Sequence, residues 1–228
     1  MSQHGKLFLV ATPIGNLEDI SLRALRVLRE VDCIAAEDTR RTAMLLAHYD
    51  IRKPLLSYHQ FNEARRVAPL LEKLRTGRSV ALVSDAGMPT ISDPGRRLLC
   101  AALEAGLPVE VVPGPSAVTA AIALSGLPAE PFLFYGFLPH RETERRRVLK
   151  GLALLPYTLI FFESPHRLLR SLANMHEVLG DRHVVLAREL TKKFEEVLRG
   201  KISSLRKALE NRSLKGEITL LVEGLSSQ

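Results

Sequence analysis

Tryptophan is absent from the 228 residues, and aromatic residues make up only 5% of them. No aromatic-rich surface for stacking single-stranded bases is visible in such a chain. Cysteine is scarce as well. Cys33 and Cys100 are the only two, and no C-x-x-C pair exists. That leaves no disulfide framework and no zinc site, and both thiols are expected to pack as small residues in a reducing compartment. No apolar run is long enough to span a bilayer. The most apolar stretch, Gly151–Phe162, is interrupted by Pro156, Tyr157 and Thr158, which makes it too short. The N-terminus carries no signal-peptide pattern, so a cytoplasmic protein without membrane attachment is expected. Phosphate cradles are missing too. There is no G-x-x-x-x-G-K-[ST], since Gly200-Lys201 lacks the upstream glycine, and no G-x-G-x-x-G after the first strand-like run. This counts against P-loop nucleotide hydrolases and dinucleotide-dependent dehydrogenases. It leaves room for a nucleoside cofactor without phosphates.

What is present is an ordinary globular composition, 46% hydrophobic and 25% charged, with a net charge of +7. The positive balance is compatible with an anionic partner such as nucleic acid. Short β-branched runs alternate with amphipathic stretches, which predicts a mostly parallel α/β sheet in the first half. Strands are expected at Lys6–Ala11, Cys33–Ala36, Leu55–Tyr58, Val80–Val83 and Val109–Val112. Ser21 and Asn62 are placed as helix caps. The stretch Val80–Gly95 reads as strand, stiff loop and helix, with Asp93 as cap and Pro94 as the first helical residue. The second half alternates less regularly: strands at Phe132–Phe137, Tyr157–Phe162, His183–Arg188, Glu196–Leu198 and Glu217–Glu223, in a mixed sheet. Its helices are expected at Ser116–Ser125, Glu144–Leu155, from Ser164-Pro165 to Leu179, and Lys201–Glu210. The junction falls between Pro113 and Pro131, giving an N-terminal domain of residues 1–115 and a C-terminal domain of residues 116–228.

Several strands run into glycine-, proline- or charge-rich loops: Thr12–Asn16, Glu37–Arg40, Ser84–Gly95, Pro113–Ser116 and Glu163–Arg167. In open α/β sheets ligands bind beyond the carboxyl ends of the strands. Each such loop taken singly reads as a turn; as a set they point to a ligand site. S-adenosylmethionine is a phosphate-free nucleoside that would suit it. Basic pairs such as Arg65-Arg66 and Lys192-Lys193 read first as solvated helix faces. Arg40 and Arg141, at loop ends, have the better claim on phosphate. His59, His140 and His166 show no convergent spacing, so no metal site is expected.

The ordered set LFLVATPIGNLEDIS (Leu7–Ser21), AAEDTR (Ala35–Arg40), VSDAGMPTISDPG (Val83–Gly95), VVPGPSA (Val111–Ala117), GFLP (Gly136–Pro139), FFESPHR (Phe161–Arg167), ARELTKKFEE (Ala187–Glu196) and KGEITLLVEG (Lys215–Gly224) resembles the tetrapyrrole-methylase superfamily. Within it, the set is similar to members that methylate a cytidine ribose 2′-oxygen of 16S rRNA in the small ribosomal subunit. Departures are few: Met88 and Thr90 stand where relatives commonly carry Thr and Leu or Gly, and Phe194 where a more polar residue is expected. The chain stops soon after the last expected strand, short of the helical extension some members carry, which would lower RNA affinity if that extension contributes.

The resemblance implies two α/β domains of the class III methyltransferase type, a parallel N-terminal sheet, a mixed C-terminal sheet, a homodimer, and S-adenosyl-L-methionine in the cleft between the domains. Carried over by motif, the cofactor would touch Pro13, Asp85, Ala86, Gly87, Met88, Ser116 and Ala117, then Phe162, Ala187, Glu189, Gly216 and Glu217. A general base for the weakly acidic 2′-hydroxyl would come from Glu37, Asp38, Glu163 or Glu189, with His166 a further candidate. Arg40, Arg141, Arg167 and Lys192 would pair with rRNA phosphates. A corrin or porphyrin methylase, and a non-catalytic ribosome-associated RNA-binding module, are the alternatives.

Overall fold

In the computed structural model, which describes residues 4–225, the apolar runs become strands. The chain divides into two compact units, Met1–Ser116 and Ala117–Gln228. The first holds β1 (Leu7–Val10), α1 (Leu22–Glu30), β2 (Cys33–Ala36), α2 (Thr39–His48), β3 (Leu55–Ser57), α3 (Glu63–Arg75), β4 (Val80–Val83), α4 (Arg96–Glu104) and β5 (Val109–Val112). Its five strands lie in the order β3-β2-β4-β1-β5, and every pairing is parallel. Successive side chains of a strand point to opposite faces, so β4 sends Ala81 and Val83 to one core and Val80 and Leu82 to the other. The first core packs against α1 through Ala24, Val27 and Leu28, and the second against α3 and α4 through Leu70, Leu74 and Leu98. Covering both faces is what parallel sheets require. Because all five strands run one way, the loops that follow them gather at one sheet edge.

The second unit holds α5 (Ala117–Ser125), β6 (Phe132–Phe137), α6 (Glu142–Leu152), β7 (Thr158–Glu163), α7 (Leu168–Leu179), β8 (His183–Arg188), β9 (Glu196–Lys201), α8 (Ile202–Leu209) and β10 (Ile218–Val222). The sheet order is β6-β7-β10-β8-β9. Only β6–β7 is parallel; the other three pairings are antiparallel. The sheet is therefore mixed, and its core joins Leu149 of α6, Leu172 and Met175 of α7 and Leu205 of α8 to Leu159, Phe161, Leu186 and Leu220. Among the described residues no helix is long and apolar enough to cross a membrane.

Caps tie these elements to the sequence. Ser21 Oγ accepts from Ala24 N at 3.0 Å, as its position predicts. Helix starts differ from expectation at α4 and α7, and α6 begins two residues early, at Glu142. The cap of α4 is Gly95, with φ +132°, and not Asp93. The chain enters this helix pressed against β4: a Cβ at position 95 would lie 2.6 Å from Leu82 Cδ2 and 3.0 Å from Thr90 Cγ2. Only glycine fits both that backbone angle and that approach. Ser164 acts through its carbonyl, which accepts from Arg167 N and Leu168 N at 3.1 Å each. The cap of α7 is Arg167, because a turn over residues 165–167 precedes the helix.

Candidate active site

In the first unit the strand-end loops are stitched together by backbone. Thr12 N donates to Gly87 O at 2.9 Å and Gly87 N to Thr12 O at 3.0 Å, so the loops after β1 and β4 form an isolated antiparallel bridge. Thr12 Oγ1 donates to Ser84 O at 3.1 Å. This fixes Pro13 beside the Asp85–Met88 turn. Gly87 is buried with the β5 loop beyond it: a Cβ there would meet Ile14 and Pro115 O at 3.5 and 3.6 Å. The loops after β2 and β4 are joined by Asp85, whose Oδ1 accepts from Asp38 N at 3.0 Å. Arg41 Nη1 lies 3.5 Å from Asp85 Oδ2. Thus Pro13, Asp85, Ala86, Gly87 and Met88 are brought together, and Ser116 ends the neighbouring β5 loop.

Glu37 and Asp38 sit side by side but in opposite electrostatic states. Burial, and then the Asp85 charge, push the half-buried Glu37 carboxyl above its ordinary value, against the backbone N–H of Asp85 and the positive charges of Arg41 and His59. A carboxylate so placed is a stronger base than one in water. Asp38 caps α2, accepting from Arg40 N at 2.9 Å and from Arg40 Nη2 at 2.7 Å. Those bonds hold it well below the usual carboxylate range. Its oxygens are engaged in local structure. The Arg40 side chain is 89% exposed apart from that pair.

In the second unit the expected residues fall into two groups. At the ends of β8 and β10, Glu189 Oε1 accepts from Glu217 N at 3.0 Å and from Lys192 Nζ at 2.8 Å. Lys192 Nζ also reaches Glu217 Oε2 at 3.2 Å. Burial alone raises the Glu189 carboxyl, but the Lys192 ammonium and the Glu217 N–H outweigh it and hold the group below its ordinary value. Gly216 makes this latch possible: at φ +94°, a Cβ there would fall 2.3 Å from Glu189 Cδ. Ala187, Glu189, Gly216 and Glu217 therefore cluster. Lys192 is bound into the cluster and is not a free cation.

The other group surrounds Glu163 at the end of β7. This carboxylate is buried. Its Oε1 accepts from Ser164 N at 2.8 Å, its Oε2 from Ser171 Oγ, and Arg167 Nε lies 3.4 Å away. Arg167, with a side chain 16% exposed, donates from Nη2 to Leu138 O at 2.6 Å. Arg167 holds the loop after β6 and Glu163 holds Arg167; neither faces solvent as a base or a phosphate ligand would. Phe162 packs edge-on against Phe134, with ring centroids 4.9 Å apart. Arg145 of α6 is buried as well, donating to Asn174 Oδ1 at 2.7 Å and to Pro139 O and His140 O at 3.2 Å each. Part of the basic character of α6 is thus an internal brace. Arg141, 83% exposed and 3.9 Å from Glu144, remains open to an anion.

Parallel strand ends carrying braced glycine and proline loops in one unit, and a mixed sheet in the other, define a two-unit α/β architecture with carboxylates at the loops. The chain belongs to the tetrapyrrole (corrin/porphyrin) methylase family, whose model matches residues 6–206. Among curated relatives, a ribosomal RNA small subunit methyltransferase I of Thermotoga maritima is 52% identical over 220 residues, 96% of this chain and 99% of that protein. Another of that name, from Bacillus subtilis, is 45% identical over 227 residues, the whole of this chain and 78% of the relative. Among solved structures, diphthine synthase aligns with a TM-score of 0.77 at 18% identity over 98% of this chain and 92% of that one. A cobalt precorrin-4 methyltransferase aligns at 0.71 and 21% identity, covering 96% and 94%. These two show the fold.

One feature escaped the sequence reading. The loop His59–Asn62, after β3, faces Glu37–Arg40 across a concavity of about 410 Å³. Strands β2 and β3 are neighbours in the sheet, a pairing that no linear pattern reveals. The available signal was an aromatic, Phe61, set in a polar loop directly after a strand.

Proposed function

We infer that this chain transfers a methyl group from S-adenosyl-L-methionine to the ribose 2′-oxygen of a cytidine in 16S rRNA of the small ribosomal subunit. The observation that carries the RNA assignment is the near-full-length identity to proteins named as small-subunit rRNA methyltransferases. The 2′-oxygen and the cytidine rest on the motif resemblance.

The donor supplies an electrophilic methyl on a sulfonium. In the first unit Pro13, the turn Asp85–Met88 and Ser116 are proposed to hold it. Backbone polar groups and a buried glycine turn there suit a nucleoside without phosphates. In the second unit the proposed residues are Ala117, Phe162, Ala187, Glu189, Gly216 and Glu217. Glu37 accepts the proton of the 2′-hydroxyl as that oxygen bonds the methyl carbon and the carbon–sulfur bond breaks. Burial and the Asp85 charge raise its pKa, which strengthens it as a proton acceptor. Asp38, Glu163 and Glu189 position structure: a helix cap, the β6 loop and the Gly216 turn. Alignment supplies most of the acceleration. Arg40 and Arg141 contact rRNA phosphates.

Labelled methyl transfer tests the reading, with small ribosomal subunits, free 16S rRNA and tetrapyrroles offered as acceptors. Label in the rRNA is expected. The family's description favours a tetrapyrrole acceptor as the second reading, and label only in the tetrapyrrole would establish it.

A further inference from the structure

The loop after β3 holds an aromatic ring out in water. Phe61 is 82% exposed, yet its loop is tightly built. The buried Asn62 accepts from His59 N at 2.9 Å and donates from Nδ2 to Ser57 O at 3.2 Å and Ser57 Oγ at 3.1 Å. His59 O accepts from Asn62 N and Glu63 N, both at 2.9 Å. The His59 and Phe61 rings meet edge-on with centroids 6.0 Å apart. The exposure is therefore fixed by hydrogen bonds and is not a slack loop. A lone surface aromatic needs no explanation, but this one lies on the wall of the concavity that Glu37, Asp38 and Arg40 line from the β2 side. Arg65 and Arg66 follow in the chain, exposed at the start of α3. An apolar ring face, a carboxylate and exposed guanidinium groups match the three parts of a nucleotide: base, ribose hydroxyl and phosphate.

We propose that this concavity receives the acceptor nucleotide, unstacked from its strand, and that Phe61 stacks on its base. The inference rests on the RNA-methylating reading above. Phe61 is a positioning residue: it sets the base so that the ribose hydroxyl meets Glu37. Stacking on one ring face is tolerant of base identity, so the choice of pyrimidine comes from the polar edge of the pocket.

The chain's lack of tryptophan makes the test direct, since Phe61→Trp introduces a single tryptophan that can be excited apart from the tyrosines. Its emission should be quenched, saturably, by single-stranded RNA containing the acceptor cytidine. A tryptophan introduced at the exposed Leu154 of the second unit should not be quenched. With small ribosomal subunits, Phe61→Ala should raise KM for the subunit about tenfold to a hundredfold and leave the Kd for S-adenosylmethionine unchanged. Phe61→Tyr and Phe61→Trp should restore KM. Unchanged KM in Phe61→Ala, or an unquenched Phe61→Trp that still methylates subunits, would overturn the stacking role while leaving the activity standing. Quenching by a tetrapyrrole and not by RNA, with no label in rRNA from the wild-type chain, would overturn the activity itself.

Discussion

Two carboxylates adjacent in sequence, Glu37 and Asp38, end in opposite states because their neighbours differ. Burial and the Asp85 charge raise Glu37, whereas Arg40 lowers Asp38. Glu37→Gln removes the proton acceptor but keeps an oxygen for the Asp85 N–H. Methyl transfer should fall about 10²- to 10⁴-fold, while thermal stability at neutral pH rises. The sign follows from linkage: a group whose folded pKa is raised contributes stability below its unfolded pKa, and that contribution is lost as pH rises through the folded value. An ionised Glu37 at neutral pH therefore costs stability that the amide does not. The rate of the wild-type enzyme should drop on acidification through the raised Glu37 value, with Asp85, Arg41 and His59 the charged or titratable neighbours that shape the curve. Gly216 is the second decisive residue. Gly216→Ala forces a left-handed alanine and drives its Cβ into Glu189. A loss of about 1–3 kcal/mol in denaturant unfolding is expected, with the Glu189–Lys192 pair broken.

At the scale of elements, strands and helix interiors were legible because apolar periodicity and length specify them. The Val80–Val83 run, for example, is buried on both sides as its continuous apolar character implies. Ends were less legible. Asp93-Pro94 has the chemistry of a helix start, but the close approach of Gly95 to Leu82 decides where α4 begins, and that contact is tertiary. The same limit hid the Glu37–Phe61 concavity, which depends on β2 lying beside β3. Among charged residues, sequence could not separate braces from ligands. Glu163 and Arg167 read as site residues, yet Arg167, like Arg145, holds the loop after β6, and Glu163 holds Arg167. Glu163→Ala should therefore act as a core lesion. It leaves the Arg167 guanidinium without its buried partner, and a loss of about 3 kcal/mol in thermal or denaturant unfolding is expected. Retention of full stability would contradict that role.

For the molecule as a whole, the net charge of +7 bears on partners more than on fold. We propose Arg40 and Arg141 for phosphate because their side chains are 89% and 83% exposed, whereas Lys192 and Arg167 are largely buried in internal contacts. Binding to small ribosomal subunits should weaken steeply with added salt, and the double variant Arg40→Ala/Arg141→Ala should flatten that dependence by about one to two units of log–log slope. A filter-binding titration across salt concentrations reads it. The central claim is that the methyl goes to a ribose oxygen of rRNA. Nucleoside mass spectrometry of 16S rRNA, after incubation of small subunits with the protein and isotopically labelled S-adenosylmethionine, tests it most directly. The account predicts labelled 2′-O-methylcytidine that is all but lost with Glu37→Gln. Label on a base, or none in the rRNA, would contradict it.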